Sequence, residues 1–161
     1  MVYVDTSVVV KLYIKEAYSQ EVAAWIRAND EAIPKTVFHE LEFKNAIKLK
    51  QFRDEMTSSE AETVLSRFNQ HEVDGIFYRP AINWPDVFAR SLTLSKNHTE
   101  TIGSRSLDVI HVALALSTGA DRFFTFDEKQ SQLASAAGLQ IVKAKASSLS
   151  SSFLTQSRRL E

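Results

Sequence analysis

The sequence contains no cysteine, and its 161 residues include only 4 Gly and 3 Pro. The absence of cysteine excludes disulfides, thiolate nucleophiles and cysteine-based zinc sites, so any metal ion must be bound by oxygen atoms or by His. No apolar run approaches the roughly 20 residues that a membrane-spanning helix needs, and no basic region followed by an apolar stretch opens the chain. We therefore expect a cytoplasmic protein.

The chain also lacks an excess of charge of either sign, with 19 Lys and Arg against 20 Asp and Glu and a formal net charge of −1. A phosphate-binding surface usually needs a positive field, so an enzyme that acts on nucleic acid would need local basic patches here. The length and the 44% hydrophobic content are ordinary for one folded domain. We expect this domain to span residues 1–145, followed by a Ser-rich tail at residues 146–161.

Short β-branched or aromatic runs alternate with helical patterns along most of the chain. The runs predict strands at residues 2–4, 32–33, 76–78, 122–126 and 139–142. Apolar periodicity predicts helices at residues 8–13, 19–28, 37–52, 87–95, 107–116 and 130–137, and a further helix capped by Ser58 or Ser59. This alternation favours a three-layer α/β/α fold, in which helices cover both faces of a central, mainly parallel sheet.

Acidic residues stand at positions where such a fold gathers side chains. Asp5 and Asp127 each follow a predicted strand, and the carboxyl ends of parallel strands share one edge of the sheet. Asp108 lies near the start of a very apolar helix, and Glu40 and Glu42 lie near the start of a basic one. Converging carboxylates raise one another's pKa unless a cation neutralises them, and Mg²⁺ or Mn²⁺ prefers such oxygen ligands. A metal held there could activate water against a phosphodiester.

Each of these residues also has a simpler structural interpretation. Asp5 and Asp127 have the positions of turn or N-cap residues, and Asp108 that of an acid in the first turn of a helix. His111, in the apolar helix, is better explained as a hydrogen-bonded core or supporting residue than as a metal ligand. The basic stripe from Lys44 to Arg53 is explained equally well as a solvated helix face. The residues alone leave both interpretations open.

The ordered set of motifs resembles the PIN-domain family and, within it, the VapC toxins of toxin–antitoxin pairs. The resemblance runs from Val2 to about Val142 and rests on four segments: Val4-Asp5-Thr6-Ser7 with Val10-Lys11-Leu12-Tyr13, His39-Glu40-Leu41-Glu42-Phe43-Lys44-Asn45-Ala46-Ile47, Arg105-Ser106-Leu107-Asp108-Val109-Ile110-His111-Val112-Ala113, and Phe124-Thr125-Phe126-Asp127 with Gln130, Leu133-Ala134 and Gly138-Leu139.

The resemblance implies a ribonuclease in which an acidic quartet binds Mg²⁺ or Mn²⁺. By match to the motifs, the quartet is Asp5, a glutamate of the basic helix, Asp108 and Asp127. Thr6 and Thr125 match the hydroxyl residues that support the quartet. The resemblance also implies a cognate VapB-like antitoxin and commonly a homodimer.

Only one of the two glutamates can serve this quartet. Residues two apart on a helix point about 200° away from each other, so Glu40 and Glu42 cannot both face one pocket. The apolar pattern around them does not decide between the two. The family pattern is an acid followed by an apolar residue, with Ala and an aliphatic residue at the fourth and fifth positions beyond the acid, and it matches Glu42-Phe43 with Ala46-Ile47. We therefore predict Glu42 as the metal ligand, with Glu40 as the alternative.

Two other functional classes remain as rivals. A PIN-like interaction module without nuclease activity would keep the fold but lack a competent metal site. A receiver or phosphotransferase domain is disfavoured, because no second aspartate and no glycine-rich phosphate loop accompany Asp5-Thr6-Ser7.

Overall fold

The computed structural model describes residues 1–143 and contains two parallel sheets. Strands β1 (Val2–Val4), β4 (Arg122–Phe124) and β5 (Gln140–Val142) pair in the order β1-β4-β5. Strands β2 (Ile33–Pro34) and β3 (Phe77–Tyr78) form a separate parallel pair. The predicted Ser-rich tail at residues 146–161 lies outside the described residues.

Helices occupy most of the remaining chain between residues 1 and 143. They are α1 (Thr6–Tyr13), α2 (Ser19–Ala28), α3 (Val37–Phe52), α4 (Ser58–Val73), α5 (Trp84–Ile102), α6 (Ser106–Ser117) and α7 (Glu128–Ala136). Within this part of the chain, no helix combines the length and the apolar character that crossing a bilayer would require.

The side chains of β1 point alternately into two hydrophobic cores. Val2 and Val4 belong to one core, and Tyr3 belongs to the other. On β4, Phe124 and Phe123 divide in the same way. Successive strand residues face opposite sides of a sheet, so one core lies on each face of this sheet. Residues of the helices belong to both cores, and helices therefore cover both faces. The predicted three-layer α/β/α fold is confirmed.

Capping residues set most helix starts, and the predicted starts of α1, α4, α5 and α7 differ from the observed ones. Helix α4 begins after Thr57, whose side chain accepts a hydrogen bond from Glu60 N, so neither Ser58 nor Ser59 is its cap. Helix α5 begins at Trp84 rather than at Val87. Pro85 is the second residue of this helix, and proline is tolerated in the first turn, where its missing N–H would have no partner.

Candidate active site

The ends of β1 and β4 bring Asp5 and Thr125 together. The two strands pair Val4 with Phe124, and Asp5 N donates to the Phe124 carbonyl at 3.0 Å. Immediately beyond this pairing, Thr125 Oγ1 donates to Asp5 Oδ2 at 2.8 Å. The carboxyl edge of the sheet therefore positions a carboxylate and a hydroxyl that donates to it.

Asp5 is a buried carboxylate, only 3% exposed. Its Oδ1 accepts hydrogen bonds from Val8 N at 2.9 Å and from Ser7 Oγ at 2.8 Å. Burial raises the pKa of Asp5, and this effect exceeds the opposing effects of His111 and of the hydrogen bonds. Among residues 1–143, no Lys or Arg forms an ion pair with Asp5, so its charge is not neutralised.

Gln130 connects the other two aspartates. Its backbone N–H donates to Asp127 Oδ1 at 2.8 Å, and its side-chain amide donates to Asp108 Oδ1 at 3.2 Å. Asp127 is linked in turn to the end of β4, because its N–H donates to Thr125 Oγ1 at 2.9 Å. Gln130 is 3% exposed, and its Oε1 has no hydrogen-bond donor within the described chain. A buried acceptor without a donor therefore lies on the side chain that binds Asp108.

Glu42 and Glu40 face different environments, as two residues two apart on α3 should. Glu42 Oε2 accepts hydrogen bonds from Thr6 Oγ1 at 2.5 Å and from His111 Nε2 at 2.6 Å. Burial raises the pKa of Glu42, but the contacts with His111 and Thr6 outweigh it and leave the pKa below its usual value. Glu40 instead binds the side chains of Lys44 and Arg79.

Two buried histidines stand behind Glu42. His111, on α6, has Nδ1 2.8 Å from the Tyr3 hydroxyl. His39 Nε2 donates to the Val4 carbonyl at 2.8 Å, and its Nδ1 accepts from Thr36 N at 3.2 Å. These two bonds define a neutral imidazole, and burial, aided by the charge of His111, lowers the pKa of His39 to about 3.

Sequence reasoning missed Tyr3, His39 and Gln130 as parts of this site. Tyr3 has the pattern of an ordinary core strand residue, and Gln130 that of a helix residue. His39 offered a local signal, because a polar residue three positions after the Thr36 cap completes a capping box. The partners of Tyr3 and Gln130 are distant in sequence, so no local pattern could identify them.

The three aspartates also make the helix-capping and first-turn contacts that their simpler structural interpretation predicts. Asp5 caps α1 and Asp127 caps α7, while Asp108 Oδ2 accepts from Arg105 N at 2.9 Å. These contacts leave oxygen atoms free. Among residues 1–143, no donor reaches Oδ2 of Asp127 or Oε1 of Glu42. Helix capping and metal binding are therefore compatible for this set.

We give the name acidic network to two hydrogen-bonded groups that meet where Thr6 follows Asp5 in the chain. One group consists of Asp5, Thr125, Asp127, Gln130 and Asp108, and the other of Glu42, Thr6 and His111. Within residues 1–143, no group of three or more Asp, Glu or His side chains is arranged as a ready-made metal site. The donor chemistry nevertheless fits a hard divalent cation. It consists of carboxylate oxygens without a Lys or Arg partner, together with the unpartnered Oε1 of Gln130.

Comparison with known proteins gives a consistent result for the fold. The family model described as PIN domain matches residues 2–136. No curated protein matches the sequence. Among solved structures, FitAcB from Neisseria gonorrhoeae superposes with a TM-score of 0.66 and 15% identity, over 89% of this chain and 98% of that one. VapC20 from Mycobacterium tuberculosis, described as a sarcin-ricin loop cleaving toxin, gives 0.64 and 16%, over 89% and 99%. At these identities, the likeness shows the fold.

Proposed function

The chain belongs to the PIN-domain family, and from this premise we propose that it is a metal-dependent endoribonuclease that hydrolyses RNA phosphodiester bonds. PIN domains are generally nucleases, and divalent metal ions typically serve them. The observation that carries the proposal is the acidic network, in which a buried carboxylate without a cationic partner stands at the carboxyl edge of the sheet.

We propose that the carboxylates of Asp5, Glu42, Asp108 and Asp127 hold Mg²⁺ or Mn²⁺. When bound, such an ion lowers the pKa of a coordinated water and stabilises negative charge on a phosphodiester. No cysteine or other protein nucleophile is needed for this chemistry.

The hydroxyl and imidazole side chains of the network orient the carboxylates. Thr125 donates to Asp5 and accepts from Asp127, so one hydroxyl fixes two acids. Thr6 and His111 both donate to the same oxygen of Glu42, which leaves the second oxygen available. Restricting the rotamers of ligands before a metal binds reduces the entropy that binding must overcome.

We further propose that the protein is the toxin of a VapBC-type toxin–antitoxin pair and acts in the cytoplasm. The PIN family and the toxin described for VapC20 support this assignment. A VapB-like antitoxin would inhibit it by inserting a basic residue, since Arg binds carboxylates through charge-assisted hydrogen bonds. Residues 1–145 would form the PIN domain.

A homodimer is part of the same proposal. Val37 and Leu41 lie one turn apart on α3 and are 57% and 65% exposed, which is a large exposure for neighbouring aliphatic side chains. Light scattering of the purified full chain tests it: a mass of twice 18.1 kDa is expected.

The second candidate function is an interaction module without nuclease activity. The bonds from Thr and Gln side chains to the carboxylates favour this alternative, because helix capping and hydrogen bonding explain the position of each acid without a metal ion. The two candidates differ in whether the chain has a metal-dependent activity.

Incubation of the purified full chain with labelled RNA, with and without Mg²⁺ or Mn²⁺, separates the two candidates. The nuclease should cleave only when the metal is present, and Asp5→Asn should lower the rate about 100-fold or more, which is about 2.7 kcal/mol. Asp121→Asn is the matched control, because Asp121 is exposed and binds the N-terminal ammonium instead. Metal-independent cleavage, or equal loss in both variants, would contradict the proposal.

A further inference from the structure

A stacked aromatic pair, made of the exposed Tyr18 and the partly buried Phe126, adjoins the acidic network along the chain. The rings of Tyr18 and Phe126 stack with centroids 5.1 Å apart and an interplanar angle of 18°. Phe126 is the residue between Thr125 and Asp127, so the pair is covalently attached to the network. Tyr18 forms the outer ring and is 53% exposed. About half of the Tyr18 side chain is thus open to solvent, next to the segment that carries Thr125 and Asp127.

The loop that carries Tyr18 is fixed by its own hydrogen bonds. Ser19 Oγ donates to the Ile14 carbonyl at 2.8 Å and accepts from Glu16 N at 2.9 Å. Tyr18 has a φ of 68°, a left-handed conformation that non-glycine residues seldom adopt. Burial of the ring does not explain this conformation, because half of the side chain remains exposed. The loop therefore holds the ring in a defined place.

A basic groove begins next to this loop. It is an open depression of about 930 Å³ between α1 and α2, and its charged lining is four cations and one carboxylate, Glu21. Lys11 connects the groove to the aromatic pair, with its ammonium 5.5 Å from the centroid of the Phe126 ring and 3.3 Å from Glu16 Oε2, which offsets part of its charge. The cations of the groove are Lys11, Lys15, Arg27 and Lys143.

We propose that Tyr18 stacks a base of single-stranded RNA beside the acidic network and that the basic groove binds the phosphates of the adjoining nucleotides. This inference rests on the proposed function for its choice of RNA. Exposed aromatic rings stack bases of any sequence, and neighbouring cations neutralise the backbone. The arrangement also gives a chain of net charge −1 a local surface that attracts a polyanion.

Binding of a labelled, mixed-sequence, single-stranded oligoribonucleotide tests the stack without cleavage. The full chain is titrated in EDTA and followed by fluorescence anisotropy. Tyr18→Leu should weaken the affinity about tenfold, which corresponds to about 1.4 kcal/mol. Tyr18→Phe should remain within about twofold of wild type, because it keeps the π face. The matched control is Phe88→Leu, since Phe88 lies on α5 and is equally exposed at 53%.

Salt dependence tests the groove separately. Lys15→Gln should reduce the slope of log Kd against log salt by about 0.7, the value for one lost phosphate contact on a single strand. Tyr18→Leu should leave this slope unchanged, because stacking releases no counterions. Equal affinities for wild type and Tyr18→Leu, or an equal loss in Phe88→Leu, would overturn the proposal.

Cleavage assays distinguish failure of the stacking proposal from failure of the nuclease proposal. If wild type binds RNA through Tyr18 but does not cleave it, the stacking site stands and the nuclease proposal fails. If Tyr18→Leu cleaves with an unchanged KM, the nuclease stands and the stacking site fails. An unchanged RNA affinity together with weakened binding of the antitoxin would assign the surface to a protein partner and overturn the RNA assignment.

Discussion

Two carboxylates on α3 show how differently one helix can use the same functional group. Glu42 accepts hydrogen bonds from Thr6 and His111 in the acidic network. Glu40 belongs to what we call the salt-bridge network, in which every carboxylate has a Lys or Arg partner. Its members are Glu40 with Lys44 and Arg79, and Glu72 with Arg79 and Lys35.

The two networks differ in how their charge is neutralised. The hydrogen bond from Lys44 lowers the pKa of Glu40, and the close contact with the Lys35 ammonium lowers the pKa of Glu72, so these carboxylates are ionised and already paired. In the acidic network, burial raises the pKa of Asp5, and no Lys or Arg within residues 1–143 binds it. The first arrangement stabilises the fold without a ligand, whereas the second leaves a buried carboxylate for which we propose a bound metal ion as the partner.

The largest effect that the comparison predicts is on catalysis. Glu42→Gln should reduce RNA cleavage about 100-fold or more, because it removes a charge from the acidic network, while Glu40→Gln should stay within about threefold of wild type. Both rates are measured at saturating Mn²⁺, with circular dichroism as a check on folding. An inactive Glu40→Gln beside an active Glu42→Gln would reverse the roles of the two glutamates.

The second prediction concerns stability and the salt-bridge network. Lys35 is 2% exposed, and its ammonium lies 2.6 Å from Glu72 and 4.4 Å from the centroid of the Phe68 ring. Glu72→Ala leaves this buried ammonium without its carboxylate and should lower the free energy of unfolding by less than the about 3–5 kcal/mol of a fully buried pair, because the Glu72 side chain is 30% exposed. Urea denaturation measures this change.

Glu55→Ala is the control for that prediction. Glu55 pairs with Lys50 at 3.3 Å, but its side chain is 46% exposed. An exposed pair contributes about 0–1 kcal/mol, so this variant should differ little from wild type. An equal loss in the two variants would show that the buried Lys35–Glu72 pair stabilises the fold no more than the exposed Lys50–Glu55 pair does.

The third prediction is stabilisation by metal. A ligand that binds only the folded state, at 100 times its Kd, raises the free energy of unfolding by about 2.7 kcal/mol. Mg²⁺ or Mn²⁺ should therefore raise the Tm of wild type and of Glu40→Gln, but much less that of Glu42→Gln. A rise of the same size in all three proteins would place the metal elsewhere.

The sequence predicted the elements whose signals are local. Helices α2 and α3 have the predicted bounds of residues 19–28 and 37–52, because periodicity and the Thr36 cap both lie within the helix or next to it. The meeting of Asp5 with the end of β4 follows from parallel strand order. These features need no knowledge of distant contacts.

What the sequence could not predict depends on contacts across the fold. The bond between Tyr3 and His111 joins residues 108 positions apart, and the amide of Gln130 reaches Asp108 on another helix. Single residues also combine two roles: Asp127 caps α7 through one oxygen and leaves the other without a donor. Residue type and spacing cannot show how each oxygen is used.

The smallest effect, and the sharpest test of the comparison, is the opposite pH dependence of the two networks in metal-free protein. The pKa of Glu72 is lowered on folding, so its contribution to stability is present above the ordinary value of 4.5 and is lost as the pH falls through the folded pKa. The pKa of Asp5 is raised from 3.8, so its ionised form costs stability as the pH rises through its folded pKa. Lowering the pH should thus weaken one network and relieve the other.

Two variants separate these contributions when unfolding is measured in EDTA between pH 4 and pH 7. Glu72→Gln should be less stable than wild type at pH 7, and the difference should shrink toward pH 4. Asp5→Asn keeps an oxygen that can accept from Val8 N and removes the buried charge, so it should be at least as stable as wild type at pH 7. Its advantage should also shrink toward pH 4, where Asp5 of wild type becomes protonated. The two difference curves therefore approach zero from opposite sides, and curves of the same sign would mean that Asp5 is already neutralised within the fold.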